Sequence, residues 1–213
     1  MAFDMEKFMK DADKHYKKHG RDLTFMQAED KIAELSNPEL AYRFVREVKG
    51  ADKQKFADII LASGNAEFIY LAARSFDLSI EPFQEAIIKI GDPKWITYFA
   101  KYVAFADVDA LQAAVINSFN AKYISKFATN VRFADVELLE KALLKTKDAH
   151  HIAWYCHDAK IKDPAKLREF EDVVLESNNI SDLLDWDILI MEGNSGRVHD
   201  KMLKLQKAKN LSK

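Results

Sequence analysis

A unit of 27 or 28 residues recurs along the middle of the chain, and this repetition limits the possible folds more than any other sequence feature. The most complete copy spans residues 91–118 and begins with Gly-Asp-Pro. Asp92 followed by Pro93 is typical of a helix N-cap followed by the first helical residue. Apolar residues at helical spacing come next, and Asp107 then stands where a second helix would need a cap. The unit therefore predicts a hairpin of two short helices, neither of them long enough to be stable alone in water.

Five copies of this unit follow one another, and the polar residues that cap helices recur in each copy. The copies begin at Ser36, Gly64, Gly91, Phe119 and Lys147. The predicted caps of the first helices are Asn37, Asn65, Asp92, Asn120 and Asp148. The predicted caps of the second helices are Asp52, Ser79, Asp107, Asp135 and Asp163.

Apolar residues also recur at matching positions of the copies, where they form columns. The first helices share a column of mostly large residues, Phe44, Ala72, Phe99, Phe127 and Tyr155, beside a column of mostly small ones, Val45, Ala73, Ala100, Ala128 and Cys156. The second helices share the columns Phe56, Phe83, Leu111, Leu139, Phe170 and Ile60, Ile87, Val115, Leu143, Val174. Large side chains beside small ones allow stacked hairpins to interdigitate. The fold class predicted is all-α, an α-solenoid of stacked antiparallel helical hairpins.

The chain outside the five copies is predicted to close the two ends of the array. Residues 1–35 are expected to form an N-terminal capping hairpin, with helices at 3–19 and 22–35 separated by a stop at Gly20. Residues 36–177 hold the five HEAT-like two-helix repeats, and residues 178–213 are expected to form C-terminal capping helices. Such caps are needed because the end repeats would otherwise expose their apolar faces.

Composition narrows the classes of function. The formal net charge of −2 gives no overall attraction to nucleic acid or to anionic membranes. A single cysteine excludes an internal disulfide and fits a reducing compartment. No segment has the length or apolarity of a signal peptide or a membrane span. We expect a cytoplasmic protein that does not interact with membranes.

Histidine pairs and the cysteine raise the question of a metal site or a nucleophile. His15 and His19 are four residues apart, but no third ligand is evident. The group of His150, His151, Cys156 and His157 is the most metal-like in the chain. The repeat register separates its members, since Cys156 falls in the small apolar column and the histidines fall in other columns. We therefore expect no metal, no catalytic residue, no small-molecule cofactor and no enzymatic activity.

The short two-helix unit with its Gly-Asp-Pro start resembles the HEAT-like repeats of phycobilisome-lyase-type proteins. Its aromatic first helix, KWITYFAKYV, is also similar to repeat arrays of uncharacterised bacterial and viral proteins. The resemblance covers about two-thirds of the chain and implies a binding scaffold. The di-iron hydroxylase branch of HEAT-like folds has His-Glu pairs, and no histidine here is followed by Glu. The DNA glycosylase branch has a basic groove with a positioned Trp and Asp, which cannot be matched here residue by residue.

The two helices of each copy differ in charge. The first helices and the turns after them hold more Lys and Arg than Asp and Glu, whereas the second helices hold the reverse. In a solenoid these two layers lie on opposite faces. Arg46, Arg74, Lys101 and His157 share one column of the first helices, interrupted by Thr129 in the fourth copy, with Arg43 and Arg132 about a turn away. This row of cations is the candidate binding site.

Two functions from different classes follow from this pattern. The favoured one is a non-enzymatic helical-repeat protein that binds another protein, as an adapter or an inhibitor, through one face of the solenoid. The alternative is a nucleic-acid-binding or base-processing HEAT-like protein that uses the basic layer of first helices.

Overall fold

The structure is a computed structural model that describes residues 4–191, 193 and 195–211. Within these residues the chain forms fourteen α-helices and no β-strand, so the all-α prediction is confirmed. Packing divides the chain into two compact units, the first ending at Asp107 and the second beginning at Val108. The boundary falls between the two predicted helices of the third copy.

The first unit contains seven helices. They are α1 (Met5–His19), α2 (Leu23–Glu34), α3 (Pro38–Glu47), α4 (Lys53–Ser63), α5 (Ala66–Ser75), α6 (Glu81–Ile90) and α7 (Pro93–Tyr102). Helices α3 and α4 pack against each other, as do α5 and α6. Helix α5 also contacts both α3 and α7, and α4 contacts α6. First helices therefore lie beside first helices, and second helices beside second helices.

The second unit contains the other seven helices. They are α8 (Val108–Asn117), α9 (Ala121–Asn130), α10 (Val136–Thr146), α11 (Ala149–Asp158), α12 (Pro164–Val174), α13 (Ile180–Leu189) and α14 (Gly196–Leu211). Helix α9 packs on α10, and α11 packs on α12. Helix α11 also lies between α9 and α13, which repeats the neighbour pattern of the first unit.

The helix caps follow the sequence closely, because capping is a local interaction. All five predicted caps of the first helices accept a backbone N–H of the first turn through their side-chain oxygen. Asp52, Asp135 and Asp163 do the same for second helices. The prediction for Ser79 is wrong, because α6 begins after Ile80 without a side-chain cap. The Ser79 hydroxyl instead donates a hydrogen bond to the Glu81 carboxylate.

The turns between helices share an unusual backbone conformation. The residue that begins each predicted copy has a positive φ: Ser36, Gly64, Gly91, Phe119 and Lys147. The turn inside each predicted hairpin also contains one such residue: Gly50, Asp77, Phe105, Phe133 and Lys160. Only three of these ten residues are glycine. The left-handed conformation is costly for other residues, so a common turn geometry is maintained here against local preference.

The cores of the units consist of the predicted columns. The large column of the first helices and both apolar columns of the second helices are buried throughout. In the small column Cys156 is buried, whereas the four other residues are half-buried. Burying these stripes against neighbouring helices is what stabilises helices that are only about ten residues long.

Polar side chains that were not singled out from the sequence connect successive helical pairs. Gln84 Oε1 accepts the backbone N–H of Asp107 at 2.8 Å, and Gln112 Oε1 accepts that of Asp135 at 2.8 Å. Glu29 Oε1 likewise accepts the backbone N–H of Asp52 at 2.7 Å. The three bonds start from α2, α6 and α8. Each ends at the predicted N-cap residue of a later helix, which is the second helix of the following hairpin. These side chains therefore fix the spacing of neighbouring helices, and two of them, Glu29 and Gln112, are also buried.

Both ends of the chain are helical where they are described, and their role as caps of the array stays a prediction. Helix α1 starts at Met5 and stops at Gly20, whose N–H donates to the Tyr16 carbonyl. The predicted start of α1 at Phe3 lies outside the described residues. Helix α14 begins at Gly196, with Val198 and Met202 buried. None of the described helices has the length and apolar run needed to cross a membrane.

Candidate functional site

The structure distributes the six predicted binding residues over both units. Arg46, Arg74 and Lys101 lie near the C-terminal ends of α3, α5 and α7, and all three are exposed. Arg43 lies on α3, one turn before Glu47. His157 is near the end of α11, and Arg132 follows α9. The residues therefore form two separate groups, one in each unit.

Arg74 is the most firmly held cation of the first group. Its Nη1 donates a hydrogen bond to Tyr70 Oη at 2.9 Å. Its Cζ lies 5.5 Å from the centroid of the Tyr70 ring and 5.5 Å from that of the Tyr102 ring. Within the described residues no carboxylate forms an ion pair with Arg74. A guanidinium held by two rings keeps donors available for a carboxylate in a fixed orientation.

Lys101 and Arg74 meet at the same aromatic ring. The Lys101 Nζ lies 5.1 Å from the centroid of the Tyr102 ring. Tyr102 itself is 48% exposed, although it is a large side chain at the end of α7. Contact between α5 and α7 therefore places two cations around one accessible tyrosine.

Further aromatic residues extend this surface along α7. Trp95 lies 5.5 Å from Tyr70 and meets Tyr98 edge to face at 5.7 Å, measured between ring centroids. Tyr98 in turn lies 6.1 Å from Tyr102. Lys94 Nζ is 4.3 Å from the Trp95 ring centroid. We name this group the α5–α7 cluster, and it consists of Tyr70, Arg74, Lys94, Trp95, Tyr98, Lys101 and Tyr102.

The two arginines of α3 differ from each other. Arg43 Nε donates to Glu47 Oε1 at 3.0 Å, and this hydrogen bond raises the pKa of the Arg43 guanidinium above its ordinary value. The pair is neutral overall, which makes Arg43 a poor site for an acidic ligand. Arg46 makes no hydrogen bond or ion pair with any described residue, and it is exposed. Its guanidinium is therefore available, but it is not oriented by rings as that of Arg74 is.

The group in the second unit has a different chemistry. Arg132 lies over the Phe133 ring, with 4.6 Å between its Cζ and the ring centroid. His157 Nδ1 lies 3.1 Å from Asp158 Oδ1, and its ring meets Trp154 edge to face. Neither residue contacts the other in the described structure.

The histidines that resembled a metal site each interact with a different carboxylate. His150 Nδ1 is 2.7 Å from Asp185 Oδ2, whereas His151 Nδ1 lies 3.0 Å from Asp148 Oδ2 without the geometry of a hydrogen bond. At the other end of the chain, His15 Nε2 is 2.9 Å from Asp22 Oδ1. Asp22 also accepts the Phe25 backbone N–H, and this bond, followed by the His15 contact, lowers its carboxyl pKa. No group of three potential ligands with metal-binding geometry is found in the described part of the chain.

Cys156 lies in an environment that suppresses thiol reactivity. The side chain is 1% exposed. Burial, and secondly the Glu140 carboxylate, raise the pKa of the thiol to about 12. The Tyr155 hydroxyl donates to Glu140 Oε1 at 2.7 Å, and Lys166 Nζ lies 2.6 Å from Glu140 Oε2. A nucleophilic thiolate needs the opposite conditions, a lowered pKa and access.

Sequence reasoning identified Arg74 and Lys101 but not the rings that orient them. In the sequence, Trp95 and Tyr98 are three residues apart and Tyr98 and Tyr102 are four apart, which places the three rings on one side of a helix. Their partner Tyr70 belongs to another helix, so its contribution depends on how α5 packs on α7. Comparisons of the chain with protein-family models, with curated proteins and with solved structures find no match.

Proposed function

We propose that the chain is a non-enzymatic helical-repeat protein that binds an acidic surface of another protein through the α5–α7 cluster. In this proposal the hairpins are HEAT-like repeats of 27–28 residues, similar to those of phycobilisome-lyase-type proteins, and they stack as an α-solenoid. The recurring caps and the ten residues of positive φ in equivalent turns support one repeated unit. Repeat arrays of this kind serve mostly as binding surfaces.

The observation on which the proposal rests is the arrangement of Arg74. Its guanidinium is held between Tyr70 and Tyr102, with Lys101 at the same Tyr102 ring. Ordering an arginine side chain on binding costs conformational entropy, and here part of that cost is already met in the free protein. Residues that dominate binding energies are enriched in Trp, Tyr and Arg, the types that make up most of this cluster.

Charge indicates which partner fits. Three cations, Arg74, Lys94 and Lys101, surround the rings of the α5–α7 cluster. Arg74 offers a planar fork suited to a carboxylate, and the tyrosine hydroxyls can hydrogen-bond to peptide groups. Tracking a nucleic acid needs a longer series of phosphate contacts, and the whole chain has a net charge of −2. The favoured ligand is therefore a protein segment containing Asp or Glu beside apolar residues.

Capture from a lysate of the source cells tests the proposal with two matched pairs of substitutions. The test pair is Arg74→Glu with Lys101→Glu in the α5–α7 cluster. The control pair is Lys53→Glu with Lys89→Glu, which are exposed on α4 and α6 of the same unit. Lys55 is unsuitable as a control because its ammonium pairs with Asp30.

A protein retained by the wild type and by the control pair, but lost with the test pair, is the expected result. The lysate is treated with nuclease beforehand in a parallel sample. Loss of all captured material on nuclease treatment would instead favour the nucleic-acid-binding alternative. Equal capture by both pairs would contradict a site at the α5–α7 cluster.

A further inference from the structure

A cleft in the second unit lies between α9 and α11, which pack against each other. Its volume is about 260 Å³, slightly below the usual range of small-molecule pockets, about 300–1,000 Å³. It is open to solvent on one side, and none of its lining residues belongs to the α5–α7 cluster. Polar side chains from α9 form one wall, and an aromatic surface of α11 forms the other.

The α9 wall of the cleft supplies positive charge. Lys122 and Lys126 both line it, one helical turn apart. Their Nζ atoms lie 5.7 and 5.8 Å from the centroid of the Tyr123 ring, which lies between them in sequence. Neither ammonium forms an ion pair with a carboxylate of the described residues. Two ammonium groups in this position are suited to a doubly charged anion such as a phosphate monoester.

Hydrogen-bonding groups at the end of α9 complete this wall. Asn130 Nδ2 donates to the Lys126 carbonyl at 3.0 Å and to Thr129 Oγ1 at 2.8 Å. Thr129 Oγ1 donates to the Ser125 carbonyl at 3.0 Å. The side chains at the rim of the cleft are therefore ordered by the helix itself.

The α11 wall supplies an exposed aromatic ring. Trp154 lines the cleft and is 42% exposed, although its neighbours in sequence, Ala153 and Tyr155, are buried. His150 and His157 flank it, with ring centroids 6.3 and 6.0 Å away. Their Nδ1 atoms face Asp185 and Asp158, respectively, so both imidazoles are held in place beside the indole.

We infer that this cleft binds a nucleotide, with the phosphate between Lys122 and Lys126 and the base against Trp154. Stacking on an indole contributes binding energy with any base, since every base has a π face. Asp158, which also lines the cleft, provides an acceptor for a ribose hydroxyl or an exocyclic amine. The same chemistry is found in a free nucleotide and in a nucleotide unit of a single strand. The inference is independent of the protein-binding proposal, because it concerns other residues in the other unit.

Calorimetric titration of the full chain with AMP, adenosine and inorganic phosphate tests the inference. AMP should bind saturably and about tenfold more tightly than either fragment, because only AMP reaches both walls. Lys126→Gln and Trp154→Leu should each weaken AMP binding by about tenfold. Trp154→Phe should retain most of the affinity, since a ring remains. Lys141→Gln on α10 is the control, because its ammonium pairs with Glu137 and lies outside the cleft.

Three results would overturn the inference: no saturable AMP binding, AMP binding no tighter than phosphate, or binding unaffected by both cleft substitutions. A short single-stranded oligonucleotide, titrated in parallel, distinguishes the two sources. Tighter binding of the strand than of AMP, with sensitivity to Lys126→Gln, supports a site for a strand. Equal or weaker binding of the strand, with AMP binding as expected, supports a site for a free nucleotide. Melting curves of each variant confirm that the fold is retained.

Discussion

The buried position of Cys156 determines the protonation state of its thiol. Its thiol pKa is raised to about 12, so at neutral pH the side chain is an uncharged apolar residue in the core. A raised folded-state pKa means that deprotonation favours the unfolded chain. The protonated thiol therefore makes its full contribution to folding stability below pH 9.0, the ordinary thiol pKa. That contribution is lost as pH rises towards about 12.

We expect Cys156→Ala to lower the free energy of unfolding by no more than about 1–1.5 kcal/mol, because the volume change is small. Chemical denaturation at pH 7 and pH 10 measures this. The wild type should lose more stability than the variant between these two pH values. A thiol reagent should label the native protein slowly and the unfolded protein quickly. Rapid native labelling, or a bound metal that disappears in the variant, would contradict a core role.

At the scale of one helix, the stability contributions of Asp135 and Ser79 can be compared, because both are predicted N-caps of second helices. The Asp135 carboxylate accepts the Leu138 backbone N–H at 3.0 Å, whereas Ser79 caps no helix. Asp135→Ala should therefore cost on the order of 1 kcal/mol in free energy of unfolding, and Ser79→Ala distinctly less. Denaturant titration of both variants measures the difference. Equal losses would show that the Ser79 hydroxyl stabilises the start of α6 after all.

A substitution at Gln112 tests the hydrogen bonds between helices in a similar way. This side chain is buried and accepts the Asp135 backbone N–H at 2.8 Å. Gln112→Ala leaves that N–H without its acceptor, so we expect a loss of about 1–3 kcal/mol. Gln112→Glu retains an acceptor oxygen, but it buries a carboxylate without a cation such as the Arg21 that pairs with Glu29, so it should cost at least as much as the alanine variant. Thermal melting of the two variants compares them, and an alanine variant as stable as the wild type would refute a connecting role.

The elements that could be predicted from sequence are those fixed by local chemistry. Asn37, Asn65 and Asp92 cap helices because a short polar side chain precedes an apolar stripe at helical spacing. Ser79 misled the prediction because its hydroxyl turns to Glu81, which is equally local. Gln84 and Gln112 were missed because each bonds to a residue 23 positions away. The signal that would have indicated them is a recurring Glu or Gln directly after the second-helix column of Phe83, Leu111 and Leu139, as at Gln84, Gln112 and Glu140.

At the scale of the whole molecule, the formal net charge is near zero, but the charge differs from one part of the surface to another. The cations of the α5–α7 cluster gather around aromatic rings, and the carboxylates Glu29, Glu140 and Glu171 are buried with cationic partners. The predicted row Arg46, Arg74, Lys101 and His157 spans both units, so its continuity stays a prediction. What the sequence could not give is the packing of α5 on α7, which determines which of these cations are oriented.

The exposed phenylalanines in the turns inside the third and fourth predicted hairpins are a second feature that the columns did not predict. Phe105 is 98% exposed and Phe133 is 80% exposed, and both have positive φ. The equivalent residue in the first predicted copy is Gly50, which adopts this conformation at little cost. Neither ring contributes to a buried core, and nothing in the structure explains why phenylalanine occupies these turns.

Calorimetry with the purified partner measures whether the α5–α7 cluster binds an acidic protein. Titrations of the wild type, the Arg74→Glu/Lys101→Glu pair and the Lys53→Glu/Lys89→Glu pair are compared at two salt concentrations. We expect the first pair to weaken binding by roughly 100-fold, mainly through repulsion, and the control pair to change it by less than about threefold. Arg74→Lys, which keeps the charge but loses the planar fork, should lie between them. Equal affinities for the two pairs would contradict binding by this cluster and place the binding surface elsewhere on the molecule.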